Sequence, residues 1–243
     1  GDLNGLYKQG RLDLPRVARQ IGEAVARWQE LRPAGFGPFD PVRLRETGEL
    51  VGFHATYADY FHLHLERHLT FLTERSFLSH DEAGAMRRAI DEHAGLLDLA
   101  QGCLVHKDLA LWNILGTSTD VVAYIDWGDA ISVDPLDDLS LLGCFHDAPT
   151  LAHVVEGYES VRPLPSEPRR RFWLHLLRNL IMKSVIRVGA GYFDRSDGFF
   201  LIGTGGSGAD LREFTRSRLA RALDGLRNDA PLDRLSERSP LTS

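Results

Sequence analysis

Apolar residues recur along this chain with mostly helical spacing. Val17, Ile21, Val25 and Trp28 lie 4, 4 and 3 positions apart, which places them on one helix face. Asp13 is a ready N-cap for that helix. Pro15 fits its first turn, where a missing N–H is harmless, and Pro33-Ala34-Gly35 ends it. The first ten residues, GDLNGLYKQG, read as turns, and residues 34–48 read as a loop. Tyr57, Phe61, Leu65, Leu69 and Leu72 share a face and predict helical structure over roughly 51–76. Ser79-His80-Asp81-Glu82 has capping-box spacing and opens a third helix, with Met86, Ile90 and Leu97 turned inward. Further helices are predicted near 136–146, 150–160, 167–190 and 209–227. From about residue 228 the chain is polar, contains Pro231 and Pro240, and reads as a frayed tail.

Residues 103–127 break this pattern. Cys103-Leu104-Val105 is a short apolar run. Asn113-Ile114-Leu115 and Val121 to Ile125 read as two strands joined by the turn Gly116 to Asp120. The fold class is therefore mainly α with a small β-hairpin (α+β), in one domain spanning 1–243.

Composition narrows the function. The 243 residues are 43% apolar, enough for a substantial core. A net charge of −6 argues against nucleic acid as a partner, because phosphate neutralisation needs a basic surface. The most apolar long stretch, Phe172 to Ala190, is interrupted by Arg178, Lys183 and Arg187, so no membrane span is expected. Cys103 and Cys144 have neither metal-type spacing nor a secreted disulfide pattern, which points to the cytoplasm. Only three of the 28 basic residues are lysines: Lys8, Lys107 and Lys183.

Candidate chemistry concentrates in one stretch. His106-Lys107-Asp108 is followed by Asn113, five residues after the aspartate, and then by Asp126 at the end of the second strand. A hairpin between 113 and 126 returns the chain to its starting end, so Asp126 comes back beside Asn113. A carboxylate, an amide and a second carboxylate then share one small volume. Magnesium prefers hard oxygen ligands, and Asn113 and Asp126 supply two. Asp108 is then free to accept the proton of an incoming hydroxyl.

Three blocks in order, His106-Lys107-Asp108-Leu109-Ala110-Leu111-Trp112-Asn113, Ile125-Asp126-Trp127-Gly128-Asp129 and Asp134-Pro135-Leu136-Asp137-Asp138-Leu139, resemble the aminoglycoside phosphotransferase family, small-molecule O-kinases related in fold to protein kinases. The specific match covers about 103–145. The resemblance implies Mg²⁺ and ATP (or GTP) as cofactors and a small-molecule hydroxyl substrate, for instance an amino-sugar or amino alcohol. It implies Asp108 as catalytic base, Asn113 and Asp126 as metal ligands, and His106 and Asp138 as supporting residues. Helices within 51–98 and 150–227 would then face the substrate. Lys107 departs from the family's usual glycine and is expected either to point to solvent or to reach a phosphate.

The family's N-terminal β-lobe carries a phosphate-binding lysine. No strand-rich segment is predicted before residue 103, so the chain reads as the C-terminal lobe with the N-terminal lobe absent. Lys8 lies in a turn-rich opening and Lys183 in mid-helix, and neither reads as a phosphate lysine. Little activity is expected of such a chain alone. The alternative is a catalytically dead binding or regulatory module that retains the helical lobe.

Other signals are weaker. Gly203-Thr204-Gly205-Gly206-Ser207-Gly208 is a literal G-x-G-x-x-G, but no βαβ unit surrounds it, and it reads as a loop. His64, His68, His80-Asp81 and His146-Asp147 suggest a metal phosphohydrolase without matching a strict template. Arg169-Arg170-Arg171 reads as a solvated helix face, and Asp194, Asp197 and Glu213 as solvated acids or contacts to an amino-sugar.

Overall fold

The computed structural model describes residues 1–195 and 207–236. Its first element is α1 (Leu3–Lys8), where the local composition predicts turns. Asp2 caps it by accepting from Gly5 N, Leu3 is fully buried, and Gly116 N donates to Gly1 O at 3.0 Å. Contact with the distant hairpin supplies what helix propensity does not. α2 (Leu14–Trp28) forms as its apolar stripe predicts, with Asp13 accepting from Arg16 N and Val17, Ile21 and Val25 buried.

Residues 34–48 are not the expected loop, and residues 51–54 are not the expected start of a helix. They form β1 (Phe36–Phe39), α3 (Pro41–Thr47) and β2 (Gly52–His54). Two strands therefore precede residue 103, where the sequence predicts none. β1 reads Phe-Gly-Pro-Phe, without alternation, and Gly35 and Gly37 take φ of 68° and 79°. Glycine and proline at this density signal a turn, and only pairing with remote chain makes the segment a strand. The helical region expected over 51–76 is also divided, into α4 (Tyr57–His62) and α5 (Leu65–Glu74), by His64 at φ 62°. The predicted apolar face survives the break: Tyr57, Phe61, Leu65, Leu69 and Leu72 are all buried. α6 (His80–Glu92) opens on the expected capping box between Ser79 and Glu82.

Four more strands follow: β3 (Cys103–Val105), β4 (Ile114–Gly116), β5 (Val121–Tyr124) and β6 (Ile131–Val133). β4 and β5 form the predicted hairpin, with Ile114 opposite Tyr124. The others form a four-stranded antiparallel sheet in the order β2-β1-β6-β3.

The rest is helical: α7 (Leu136–Leu142), α8 (Ala148–Glu159), α9 (Pro168–Gly189) and α10 (Gly208–Asn228). α8 packs closely on α2. A Cβ on Gly22 would lie 1.9 Å from Val154 O, and one on Gly157 would lie 1.9 Å from Arg19 O. α9 is the central helix. It buries Phe172, Trp173, Leu176, Leu177 and Leu180 and packs on α5, α7 and α10.

The chain beyond 228 does not fray at once. Leu232–Ser236 is a 3₁₀ turn, Trp173 Nε1 donates to Ala230 O at 2.7 Å, and Leu235 is fully buried. One apolar anchor in a polar stretch leaves no periodic signal. Residues 237–243 lie outside the described part. Among the described residues, no helix is long and apolar enough to cross a membrane.

Candidate active site

Asp108 follows β3 on a loop that closes into a 3₁₀ turn, Leu111–Asn113. The next strand starts at Ile114, and the hairpin brings residue 125 back against residue 113: Ile125 N donates to Asn113 O at 3.0 Å. Asp126 comes next, exposed, at φ 64° and ψ 55°. An aspartate held in the left-handed region at the end of a strand is a local strain of about 1–3 kcal/mol. Among the described residues its carboxylate takes no hydrogen bond. Asn113 Nδ2 donates at 2.8 Å both to Asp108 O and to Asp108 Oδ2, while its Oδ1 takes no hydrogen bond among the described residues. The structure thus gathers Asp108, Asn113 and Asp126 at one end of the hairpin.

His106 braces this arrangement. Its Nε2 donates to Ile125 O at 2.9 Å, and its Nδ1 accepts from Asp108 N at 3.3 Å, as in the neutral Nε2–H tautomer. One buried imidazole therefore ties the loop before Asp108 to the strand before Asp126. Trp28 and Trp127 pack around it, with ring centroids 6.4 and 4.5 Å away. Asp138 sits at the start of α7 and is fully buried. Its Oδ2 accepts from His106 N at 2.9 Å and Trp28 Nε1 at 3.3 Å, and its Oδ1 from Lys107 N at 3.0 Å. Burial pushes its carboxyl up to about 6, against the pull of those backbone donors.

Lys107 neither faces solvent nor stands free to meet a phosphate. Its Nζ donates to both oxygens of Asp137, at 2.8 and 2.9 Å, and to Asn179 Oδ1 at 2.8 Å. All three of its protons are used. Burial alone would lower this ammonium, but the Asp137 carboxylate outweighs that and holds it above the usual lysine range. Lys107 takes φ 68°, the backbone that a glycine accepts without strain. Its tethered side chain and N–H stabilise that conformation.

Lys183, set aside from sequence as a mid-helix residue and not a phosphate lysine, lies at the site. From mid-α9 its Nζ reaches Asp108 Oδ1 at 2.9 Å and lies 5.6 Å from the centroid of Phe145. Phe145 in turn meets Trp112 edge-to-face at 5.1 Å. Helical periodicity could not show this, because the contact joins residues 75 positions apart.

The competing signals disperse. His64 and His68 lie with ring centroids 6.1 Å apart, and Arg178 Nη1 is 3.4 Å from His68 Nδ1. Among the described residues, no group of three or more His, Cys, Asp or Glu is placed to hold a metal ion, so the phosphohydrolase expectation has no donor set. Arg171 is not a solvated residue; it pairs with the buried Asp134, which His175 also approaches at 3.2 Å. Glu213 lines an open groove of about 1120 Å³ between α6 and α10, whose walls include none of Asp108, Asn113, Asp126 and Lys183. Gly203 to Gly206 and Asp197 lie outside the described residues.

A family model described as phosphotransferase enzyme family matches residues 2–173. No curated protein matches the chain by sequence. Among solved structures, a thermostable mutant of aminoglycoside phosphotransferase APH(4)-Ia in ternary complex with AMP-PNP and hygromycin B superposes with TM-score 0.59 at 19% identity, over 90% of this chain and 68% of that one. The apo form of such a mutant gives TM-score 0.58 at 20% identity, with the same coverage. A protein assigned as fructosamine-3-kinase from Thermobifida fusca gives TM-score 0.52 at 21% identity, over 85% of this chain and 66% of that one.

Proposed function

This chain belongs to the phosphotransferase enzyme family, and we propose that it transfers the terminal phosphoryl group of ATP or GTP to a hydroxyl of a small molecule. The observation that carries the reading is the junction of Asp108, Asn113 and Asp126 at the open end of one hairpin, held by His106 and Asp138. Asp108 lies where a base for the acceptor hydroxyl is needed. Asn113 Oδ1 and the Asp126 carboxylate would hold Mg²⁺. The donor chemistry fits: both are hard oxygens without a competing partner among the described residues, and two protein ligands suit an ion that completes its shell with water and phosphate. Magnesium bound there would neutralise charge on the phosphates. The protein's own work is to fix the base, keep its loop rigid through the His106 bridge, and present the acceptor hydroxyl to Asp108. The AMP-PNP and hygromycin B complex of the similar fold supports a nucleotide as donor and an amino-sugar as one acceptor class.

Two experiments test this. Mg·AMP-PNP at about 100 times its Kd should raise unfolding stability by roughly 2.7 kcal/mol. Asp126→Asn should abolish the shift; an equal shift in that variant removes the metal assignment. In a phosphotransfer assay across amino-sugar and amino-alcohol acceptors, Asp108→Ala should lower kcat by about 10²–10⁴. Unchanged turnover in Asp108→Ala overturns its role as base. Absence of any nucleotide binding favours the alternative, a module that keeps the lobe without its activity.

A further inference from the structure

We propose that Lys183 is a catalytic residue that contacts the phosphoryl group during transfer. The inference rests on the phosphotransferase reading of the Asp108 site. It starts from the unequal use of the chain's three lysines. Lys8 ends α1 at the surface. Lys107 spends every ammonium proton on Asp137 and Asn179. Lys183 uses one, on Asp108 Oδ1, and among the described residues has no other hydrogen-bond partner. Lys107 is thus committed to the fold, with no proton left for a ligand. Lys183 keeps two N–H donors beside the candidate base.

Position makes those donors useful. Asn113 occupies Oδ2 of Asp108 and Lys183 occupies Oδ1, so the carboxylate is held at both oxygens. A base must lie within about 2.6–3.2 Å of the hydroxyl that it deprotonates. That hydroxyl oxygen is the atom that bonds to phosphorus. A cation 2.9 Å from the same carboxylate therefore borders the line of transfer. α9 is a rigid mount, since Leu180, Ile181 and Ser184 beside Lys183 are fully buried, and the Phe145 ring steadies the ammonium.

The step balances without a further reactant. The acceptor oxygen forms its bond to the terminal phosphorus, the bond from that phosphorus to the bridging oxygen breaks, and the nucleoside diphosphate leaves with the electron pair. The acceptor proton passes to Asp108, and Lys183 keeps all of its own. Before transfer, Lys183 and Asp108 neutralise each other. As Asp108 gains the proton, Lys183 loses its counter-charge, and its attraction for the phosphoryl oxygens rises at that moment. Stabilisation that grows toward the transition state accelerates the reaction, whereas equal stabilisation of both states does not.

The test compares binding of Mg·ADP alone with Mg·ADP plus aluminium fluoride, a mimic of the group in transfer, by isothermal titration calorimetry. Wild type should bind the fluoride complex at least about tenfold more tightly than Mg·ADP, as expected where preorganised donors face developing charge. Lys183→Met should lose that increment while its Mg·ADP affinity stays within about twofold. Lys183→Arg should recover part of it, and its thermal unfolding checks that the site folds. An undiminished increment in Lys183→Met overturns the proposal. So does equal weakening of both complexes, which marks a purely structural role, and so does a wild type that binds Mg·ADP with no increment. Failure of wild type to bind Mg·ADP at all instead strikes the phosphotransferase reading, and this inference falls with it.

Discussion

Lys107 shows how one residue can oppose its own backbone and still stabilise a site. Its left-handed φ costs about 1 kcal/mol or more. Its ammonium, in return, is the only cation within hydrogen-bond reach of the buried Asp137 among the described residues. Removing one partner of a buried pair leaves the other charge stranded, at about 3–5 kcal/mol. Lys107→Met should therefore destabilise the protein by about that amount in urea unfolding. Lys107→Gly loses the same pair but relieves the backbone, so it should fall short of the Met variant by about 1 kcal/mol. If both variants unfold at the wild-type midpoint, the pair contributes nothing and the lysine is incidental. Lys183 is the contrasting case: its partner, Asp108, sits at the reactive end of the hairpin, so its loss should register in binding more than in stability.

The crossing of α2 and α8 is where an element without chemistry governs the site. Gly22 and Gly157 let the two backbones touch, and α2 then delivers Trp28 to Asp138 and into a T-shaped contact with Trp127, ring centroids 5.2 Å apart. Gly157→Ala must push the helices apart, and overpacking of this kind costs about 1–3 kcal/mol. It should lower the Tm and also weaken Mg·AMP-PNP binding, because Trp28 withdraws with its helix. Gly22→Ala should act alike, and the double variant should cost less than the sum, since the first substitution already opens the contact. Additive costs with unaltered nucleotide affinity would show that α2 does not position the loop. Little of this crossing was legible in the sequence, although α2 itself was, through its stripe and its Asp13 cap. The site hairpin was equally legible, because its strands, turn and motif residues are contiguous. β1 and β2 were not, because they are strands only by virtue of pairing with β6 or with each other. The placement of Lys183 beside Asp108 was not legible for the same reason: long-range contacts leave no local period.

At the scale of the whole molecule, buried titratable groups set how the fold responds to acid. His146 is buried against Tyr7 and close to Arg218, and burial, then that guanidinium, pull its imidazole down to about 4. The unfolded chain binds that proton near pH 6.5, the native one only near 4, so stability falls as pH drops through this window. By pH 5 the loss from His146 alone is about 2 kcal/mol. His68, also lowered to about 4 by burial and Arg178, adds to it, with a weaker effect because it is partly exposed. Asp138 works in the opposite sense. Its carboxyl, raised to about 6, takes a proton in the native state before the unfolded one does, and it returns stability as pH falls below 6. Two groups that lose against one that gains leave a net decline between pH 6.5 and 5. Asp134 extends the decline at lower pH: burial raises its carboxyl, but His175 and Arg171 prevail and hold it below the usual carboxylate range, so its contribution is lost as pH falls through that lowered value. His146→Phe keeps an aromatic ring against Tyr7 and removes the titration. Its Tm should therefore change less than that of the wild type between pH 6.5 and 5, and Asp138 should then dominate, flattening or reversing the slope. A variant that tracks the wild type across that range would mean that His146 is protonated in the native fold and that the acid response arises elsewhere.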